Sequence, residues 1–354
     1  LDGGVPNLVD QSTVPRQVPH AVAQEVTQAI VALRKRYPTW GPKKLEAYLE
    51  REQPSVLWPA RSTISEILKR NGLIEERRRR HRTPQSTFPL AAATAPNVVW
   101  CTDFKGKFRV ERRYCHPLTI TDASSRFLLR CEPLEGEDIA QARKVFEATF
   151  REFGLPLRMR SDNGVPFAST GIGGLSALSV WWVKLGILPE RTEPGHPEQN
   201  GRHERMHRTL KAEVASPPKS EWQEQRKALE EWRRSFNERR PHEALDMETP
   251  ASRYMTSPRP YPGTVGDPEY PDHFELRRVK PNGVISMREQ SVVLGNALQR
   301  ECVGLEPIQD GLWHVWFGPV FLGRLRELGQ QKYDIQKNVP YKTRKREQSL
   351  KSVT

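Results

Sequence analysis

Between residues 21 and 37 the apolar positions Val22, Val26, Ile30, Leu33 and Tyr37 fall four, four, three and four apart, which predicts an amphipathic helix. A second short helix is expected after Gly41-Pro42, with Leu45, Tyr48 and Leu49 inward. A third is expected near Arg61-Ser62-Thr63, capped by Thr63 and Glu66, with Ile64, Ile67 and Leu68 inward and Asn71-Gly72 ending it. Beyond residue 97 the period shortens. Strands are predicted at 98–104, 114–121 and 126–132, joined too closely for crossover helices and so antiparallel. A helix over 137–153, a strand at 157–160, a helix over 175–185, a strand at 187–190 and a helix after Pro197 follow. Antiparallel strands succeeded by alternating helix and strand predict an α/β core with a mixed sheet and helices on its faces. Residues 220–240 read as a long charged helix anchored by Trp222, Leu229, Trp232 and Phe236, and residues 270–328 as short strands forming a small all-β barrel.

These patterns divide the chain into a helical module at 20–74, a basic, Pro- and Ala-rich linker at 75–97, a core at 98–255, the β-module at 270–328 and a basic tail at 332–354. Three helices in so short a span fit a helix-turn-helix DNA module, whose exposed reading face would carry Arg61, Ser62, Ser65, Lys69 and Arg70. A plain three-helix bundle with a solvated face fits the same pattern equally well. The linker's Arg77 and Arg78 are placed to neutralise phosphates.

Lys and Arg number 56 against 43 Asp and Glu, a net charge of +13 in 354 residues that favours a polyanionic partner. No apolar run approaches the roughly 18 residues or more of a bilayer span, so no integral membrane protein is expected, and no secretory leader opens the sequence. Four cysteines without a Cys-x-x-Cys pair make neither a disulfide scaffold nor a cysteine zinc site. Cys101, Cys115 and Cys131 read as small core residues.

Chemistry concentrates in carboxylates. Asp103 lies in the first predicted strand, Asp162 just after the fourth, and a Glu on the following helix completes a three-carboxylate site if strands one and four are parallel neighbours. Clustered carboxylates repel unless a cation balances them, and oxygen-only ligands suit Mg²⁺ or Mn²⁺. Two such ions would activate an attacking water or 3′-hydroxyl and stabilise the leaving oxygen in phosphoryl transfer.

Four segments carry a family resemblance: Trp100-Cys101-Thr102-Asp103-Phe104, Ser161-Asp162-Asn163-Gly164, Asn200-Gly201-Arg202-His203-Glu204-Arg205 continuing to Lys211, and Phe236-Asn237-Glu238-Arg239-Arg240-Pro241-His242. Together they resemble the catalytic core of bacterial insertion-sequence transposases related to retroviral integrases, over roughly residues 20 to 255. The resemblance implies a ribonuclease H-like fold and a metal-binding Asp-Asp-Glu triad, carried here by Asp103, Asp162 and Glu204. It also implies binding of terminal inverted repeats on double-stranded DNA, multimeric assembly on paired ends, transfer of 3′-hydroxyl ends into target DNA, and a bacterial cytoplasmic setting. The spacing usual in the family favours Glu198, separated from Asp162 by 35 residues, whereas motif context favours Glu204, separated by 41, with 170–174 as an inserted loop. Glu204 is the choice here.

Other readings compete for the same residues. His203-Glu204-Arg205-Met206-His207 matches the zincin pattern, although its helix is rich in arginine and Asp103 and Asp162 would be left without a role. His207, Arg208 and Lys211 share a helix side with Glu204 and are candidate DNA contacts, as is Asn163, while Gly164 is expected to make a left-handed turn. Asp122 reads as a hairpin-turn residue. A metal-dependent nuclease without strand transfer, or a non-catalytic DNA-binding regulator, are the alternative functions.

Overall fold

A computed structural model describes residues 22–74, 90–169, 171–192, 201–288, 290–328 and 332–337. The chain divides into two compact units, Leu1–Arg79 and Arg80–Thr354.

In the first unit, helices α1 (Gln24–Arg36), α2 (Pro42–Glu52) and α3 (Arg61–Arg70) enclose Ile30, Trp40, Leu45, Leu49, Ile64, Ile67 and Leu68. Pro42 opens α2 where its missing N–H costs nothing. Helix α3 starts at Arg61 with Ala60 as its N-cap, so the Thr63–Glu66 box does not form; Thr63 already lies inside the first turn. At the other end Asn71 Nδ2 donates to the Ile67 carbonyl at 2.8 Å before Gly72 turns the chain.

In the second unit the strands are β1 (Val99–Phe104), β2 (Phe108–Val110), β3 (Arg113–Asp122), β4 (Leu128–Leu134), β5 (Arg158–Ser161) and β6 (Leu188–Arg191). β4 and β1 flank β3, both antiparallel to it, while β5 pairs parallel with β1 and β6 parallel with β5; the short β2 also pairs with β3. This mixed sheet resembles the ribonuclease H-like arrangement. Helices α4 (Ile139–Phe153) and α5 (Ala177–Lys184) cover one face, where Trp100, Leu118, Ile120, Phe146, Phe150 and Trp182 are buried. Helices α6 (Gly201–Leu210) and α7 (Trp222–Glu238) cover the other, joined by a π-helical turn at Lys211–Ala215. Their apolar contribution is smaller, comprising Met206, Leu210, Val214, Leu229, Trp232 and Phe236 against Leu128 and Cys131.

Asn237, buried at the end of α7, fastens that helix to β4 by accepting from the Leu128 N–H at 2.8 Å and donating to its carbonyl at 3.0 Å. Asp122 is structural, as its position in the sequence predicts: it accepts from the N–H groups of Asn97, Ser124 and Ser125 and from the Ser125 hydroxyl. Within the expected linker, Ala91 is held on both sides, its N–H donating to Glu190 and its carbonyl accepting from Arg160, two side chains that also pair at 2.7 Å.

After a short helix, α8 (Pro250–Arg253), the chain enters β7 (Glu275–Arg278), β8 (Val284–Met287), β9 (Gln290–Val293), β10 (Cys302–Gln309), β11 (Leu312–Phe317), β12 (Val320–Glu327) and β13 (Tyr333–Lys337). Here the structure corrects the expected barrel. β7, β10, β11, β12 and β13 form an open antiparallel sheet with β7 and β13 at its margins, and β8 and β9 form a separate hairpin, so among the described residues no sheet closes on itself. Closure is unnecessary because the apolar face is covered by packing instead. Ile285, Met287 and Val292 of the hairpin meet Val303, Leu305, Val315, Phe317 and Leu325, and the α/β core adds Ile172, Leu175, Val180 and Val183. The 171–174 loop is part of this contact: Gly173 has φ +63°, and a Cβ there would fall 2.7 Å from Leu322 Cδ2.

Candidate active site

Strand alternation places Trp100 and Phe104 of β1 against α4 and α5. Cys101 and Asp103 therefore face α6. On β3 the partners of Asp103 and Cys101 are Thr119 and Thr121, which point the same way. β1 and β5 run parallel with Cys101 opposite Arg160; two residues further along each chain come Asp103 and Asp162. The register thus carries the two aspartates to the ends of neighbouring parallel strands.

Asp162 is half-buried, and its Oδ1 accepts from the Gly164 N–H at 3.1 Å. Gly164 is not left-handed. A Cβ there would lie 3.1 Å from Asp162 Oδ2, close enough that a larger residue would displace that carboxylate. Exposed Asn163 donates to the Thr192 carbonyl at 2.6 Å, tying the turn to the end of β6.

Helix α6 presents His203 and His207, one turn apart, to the sheet. His203 is 3% and His207 8% exposed. The Thr119 hydroxyl lies 2.6 Å from His203 Nε2, 2.7 Å from His207 Nε2 and 3.0 Å from the Asp103 carbonyl oxygen, and the Thr121 hydroxyl lies 3.3 Å from His203 Nδ1. His207 Nδ1 stands 3.8 Å from Asp103 Oδ2. Burial pushes His203 down to about 3; burial, then the neighbouring His203 and Lys105, push His207 down to about 2. Both rings are therefore neutral near pH 7, and the contact with Asp103 is polar, not an ion pair.

Asp103, His203 and His207 each offer a ligand atom within 4.8 Å of the others, a cluster able to hold a divalent cation. Asp103 and Asp162 supply the oxygen donors that Mg²⁺ or Mn²⁺ prefers, while imidazole nitrogen suits softer metals such as zinc. Glu204 lies outside this cluster among the described residues, exposed on the flank of α6, and Glu198 falls outside the described residues.

Arg208 and Lys211 are exposed on α6 and the turn that extends it, whereas His207 is turned inward. Sequence reasoning missed Lys105, two residues beyond Asp103. Its ammonium is shifted down by burial and then by Lys211, with Asp103 opposing. In the helical unit Arg61, Ser62, Lys69 and Arg70 are exposed and Ser65 half-buried, with Arg61 paired to Glu46 at 3.0 Å; Arg77 and Arg78 lie outside the described residues.

Two models described as integrase core domain match the chain, one over residues 93–197 and the other over 185–250. A protein of insertion element IS476 from Xanthomonas euvesicatoria is 27% identical over 241 residues, covering 66% of each chain, so this chain spans slightly less than two thirds of that relative. A protein of insertion element IS407 from Burkholderia multivorans is 26% identical over 63% of this chain and 78% of its own. Among solved structures, the HTLV-2 integrase catalytic core in complex with magnesium matches 46% of this chain and 99% of its own, at 15% identity and a TM-score of 0.37. The simian T-cell lymphotropic virus intasome matches 82% of this chain and 97% of its own, at 15% identity and a TM-score of 0.40. Residues 93–250 are thus similar to integrase core domains, and the chain to proteins of bacterial insertion elements.

Proposed function

We propose that the protein is a DNA transposase that binds the terminal inverted repeats of an insertion element, cleaves at its ends and joins the 3′-hydroxyl ends to target DNA. The observation that supports this reading is the parallel pairing of β1 with β5, the strands that lead to Asp103 and Asp162, in a region similar to integrase core domains. Asp103, Asp162 and Glu204 would hold Mg²⁺ or Mn²⁺, as two ions. Bound there, the metal supplies charge stabilisation to the phosphoryl group and lowers the pKa of the attacking hydroxyl.

The chain's own residues do the rest. The Asn163–Thr192 hydrogen bond holds the turn that aims Asp162. Arg208 and Lys211, exposed along α6 and the turn that extends it, meet phosphates of the terminal strand, with Lys105 near Lys211. Arg61, Ser62, Ser65, Lys69 and Arg70 read DNA from α3, and the +13 charge provides a salt-dependent attraction for double-stranded DNA. Joining two element ends requires two active sites, so the working form is a multimer on paired ends. A protein acting on bacterial insertion elements works beside the chromosome, in the cytoplasm. Among the described residues no helix is long and apolar enough to cross a membrane.

The test is joining of labelled terminal-repeat DNA to plasmid in Mg²⁺. Wild-type protein joins the ends and Glu204→Gln binds them without joining. Cleavage without joining would instead establish a nuclease, and joining by Glu204→Gln together with its loss in Glu198→Gln would move the third acid to Glu198.

A further inference from the structure

We propose that Arg191, laid across the glycine pair Gly173-Gly174, is a pre-set ligand for a DNA backbone phosphate beside Asp162. The proposal rests on the reading of the protein as a DNA transposase and adds to it a contact on the side of the sheet away from α6.

Register fixes the place. β6 pairs in parallel with β5, and Arg191, its last residue, stands opposite Ser161, one residue before Asp162. The preceding register pair, Arg160 and Glu190, shares the face of Cys101 and Asp103. By alternation Arg191 leaves the sheet on the other face, toward residues 171–174. A nucleic-acid strand crossing this end of the sheet therefore meets Arg208 and Lys211 on one side and Arg191 on the other.

The cradle is built from glycine. Arg191 Nη2 donates to the Gly173 carbonyl at 3.2 Å, and the guanidinium lies so close over Gly174 that a Cβ there would take its space. Both glycines have positive φ, +63° and +67°, a conformation glycine adopts freely. The loop is held from both ends: Gly174 donates its N–H to the Gly171 carbonyl at 2.9 Å, and its own carbonyl accepts from the Ser169 N–H at 3.0 Å.

Charge separates Arg191 from its neighbours. Arg160, Arg233 and Arg240 of the core are each answered by an acid, Glu190, Glu230 and Glu213 respectively. Arg191 makes no ion pair among the described residues, and its partner is a neutral carbonyl. Desolvation lowers its pKa, with no acid opposing, yet a guanidinium stays charged near neutral pH. The residue is exposed, and one of its five N–H donors is used. Its full charge is thus left for an anion, its planar fork suits two phosphate oxygens, and the cradle has already met part of the cost of ordering a long side chain.

The test uses the full chain and labelled terminal-repeat DNA over a salt series, with joining to plasmid in Mg²⁺ alongside. Arg191→Met should weaken end binding about tenfold and flatten the slope of log affinity against log salt by about one. If the phosphate belongs to target DNA, that slope stays and the plasmid concentration for half-maximal joining rises several-fold instead. Wild-type values in both assays would overturn the proposal. Arg191→Lys should keep the slope while recovering only part of the affinity. Gly174→Ala keeps the charge but displaces the guanidinium, and should lose most of what Arg191→Met loses without a matching fall in melting temperature. Full affinity in Gly174→Ala would show that the cradle orders nothing and would also sink the proposal. Wild-type protein that neither prefers terminal-repeat DNA nor joins it would mean that the transposase reading has failed; if wild type does both and Arg191→Met equals it, only this contact has.

Discussion

The two faces of the central sheet are built from different materials. The face under α4 and α5 is almost wholly apolar, with Trp100, Phe146, Phe150 and Trp182 at its centre, and the indole N–H groups of Trp181 and Trp182 meet no acceptor among the described residues. Under α6 and α7 the buried set includes Thr119, Thr121, His203, His207, Gln225 and Asn237. Strand alternation sends even-numbered residues of β1 and β3 to the first face and odd-numbered ones to the second. One sheet therefore separates adhesion from chemistry residue by residue, and the second face gives up apolar burial for defined hydrogen bonds.

This contrast can be broken most forcefully on the apolar side. Phe146, fully buried between Phe150, Phe167 and Trp182, should cost about 3–5 kcal/mol when truncated to Ala, read as a lowered denaturation midpoint. Asp162→Asn should do the reverse: joining falls by about 10²–10³-fold, roughly 3–4 kcal/mol in the transition state, while thermal stability stays level or rises as carboxylate repulsion is relieved. A stable Phe146→Ala or an unstable Asp162→Asn would erase the distinction between the faces.

Asn237→Ala tests whether the polar face also holds structure. It strands the Leu128 N–H and leaves its carbonyl only the Arg233 guanidinium at 3.4 Å, and should cost about 2–3 kcal/mol in denaturant unfolding. The smallest effect per residue is one of pH. His203 and His207 have folded pKa values far below the ordinary imidazole value, so the unfolded chain binds more protons as pH drops below about 6.5. Stability is complete above that pH and falls on acidification, by about 2 kcal/mol per histidine between pH 7 and pH 5. Urea titrations at the two pH values should show a smaller loss in His203→Gln.

Long periodic stretches were legible in the sequence because helix and strand repeats leave plain marks, and the two aspartates were legible because they end strands of recognisable pattern. Elements without a repeat were not. β2 spans only Phe108–Val110, too short to show alternation, and α3 starts at Ala60–Arg61, where a backbone cap leaves no side-chain signature. The expected barrel failed because strand count says nothing about closure once a neighbouring surface can cover the same apolar face. Thr119 and Thr121 look like ordinary β-branched strand residues. Only the pairing of β3 with β1 shows that they share a face with Asp103, and only the docking of α6 turns the two histidines of a zinc-like motif onto threonine hydroxyls.

Asn237 has one more consequence. β4 is a margin of the central sheet, and a margin presents unpaired N–H and C=O groups on which another chain can build a strand. By taking both groups of Leu128, the amide of Asn237 imitates the backbone of a neighbouring strand at the point where β4 begins. If several copies gather on DNA, as proposed, such margins come to high local concentration. There the amide acts as a guard against mispairing, and its removal should surface as visible aggregation before any loss of DNA recognition.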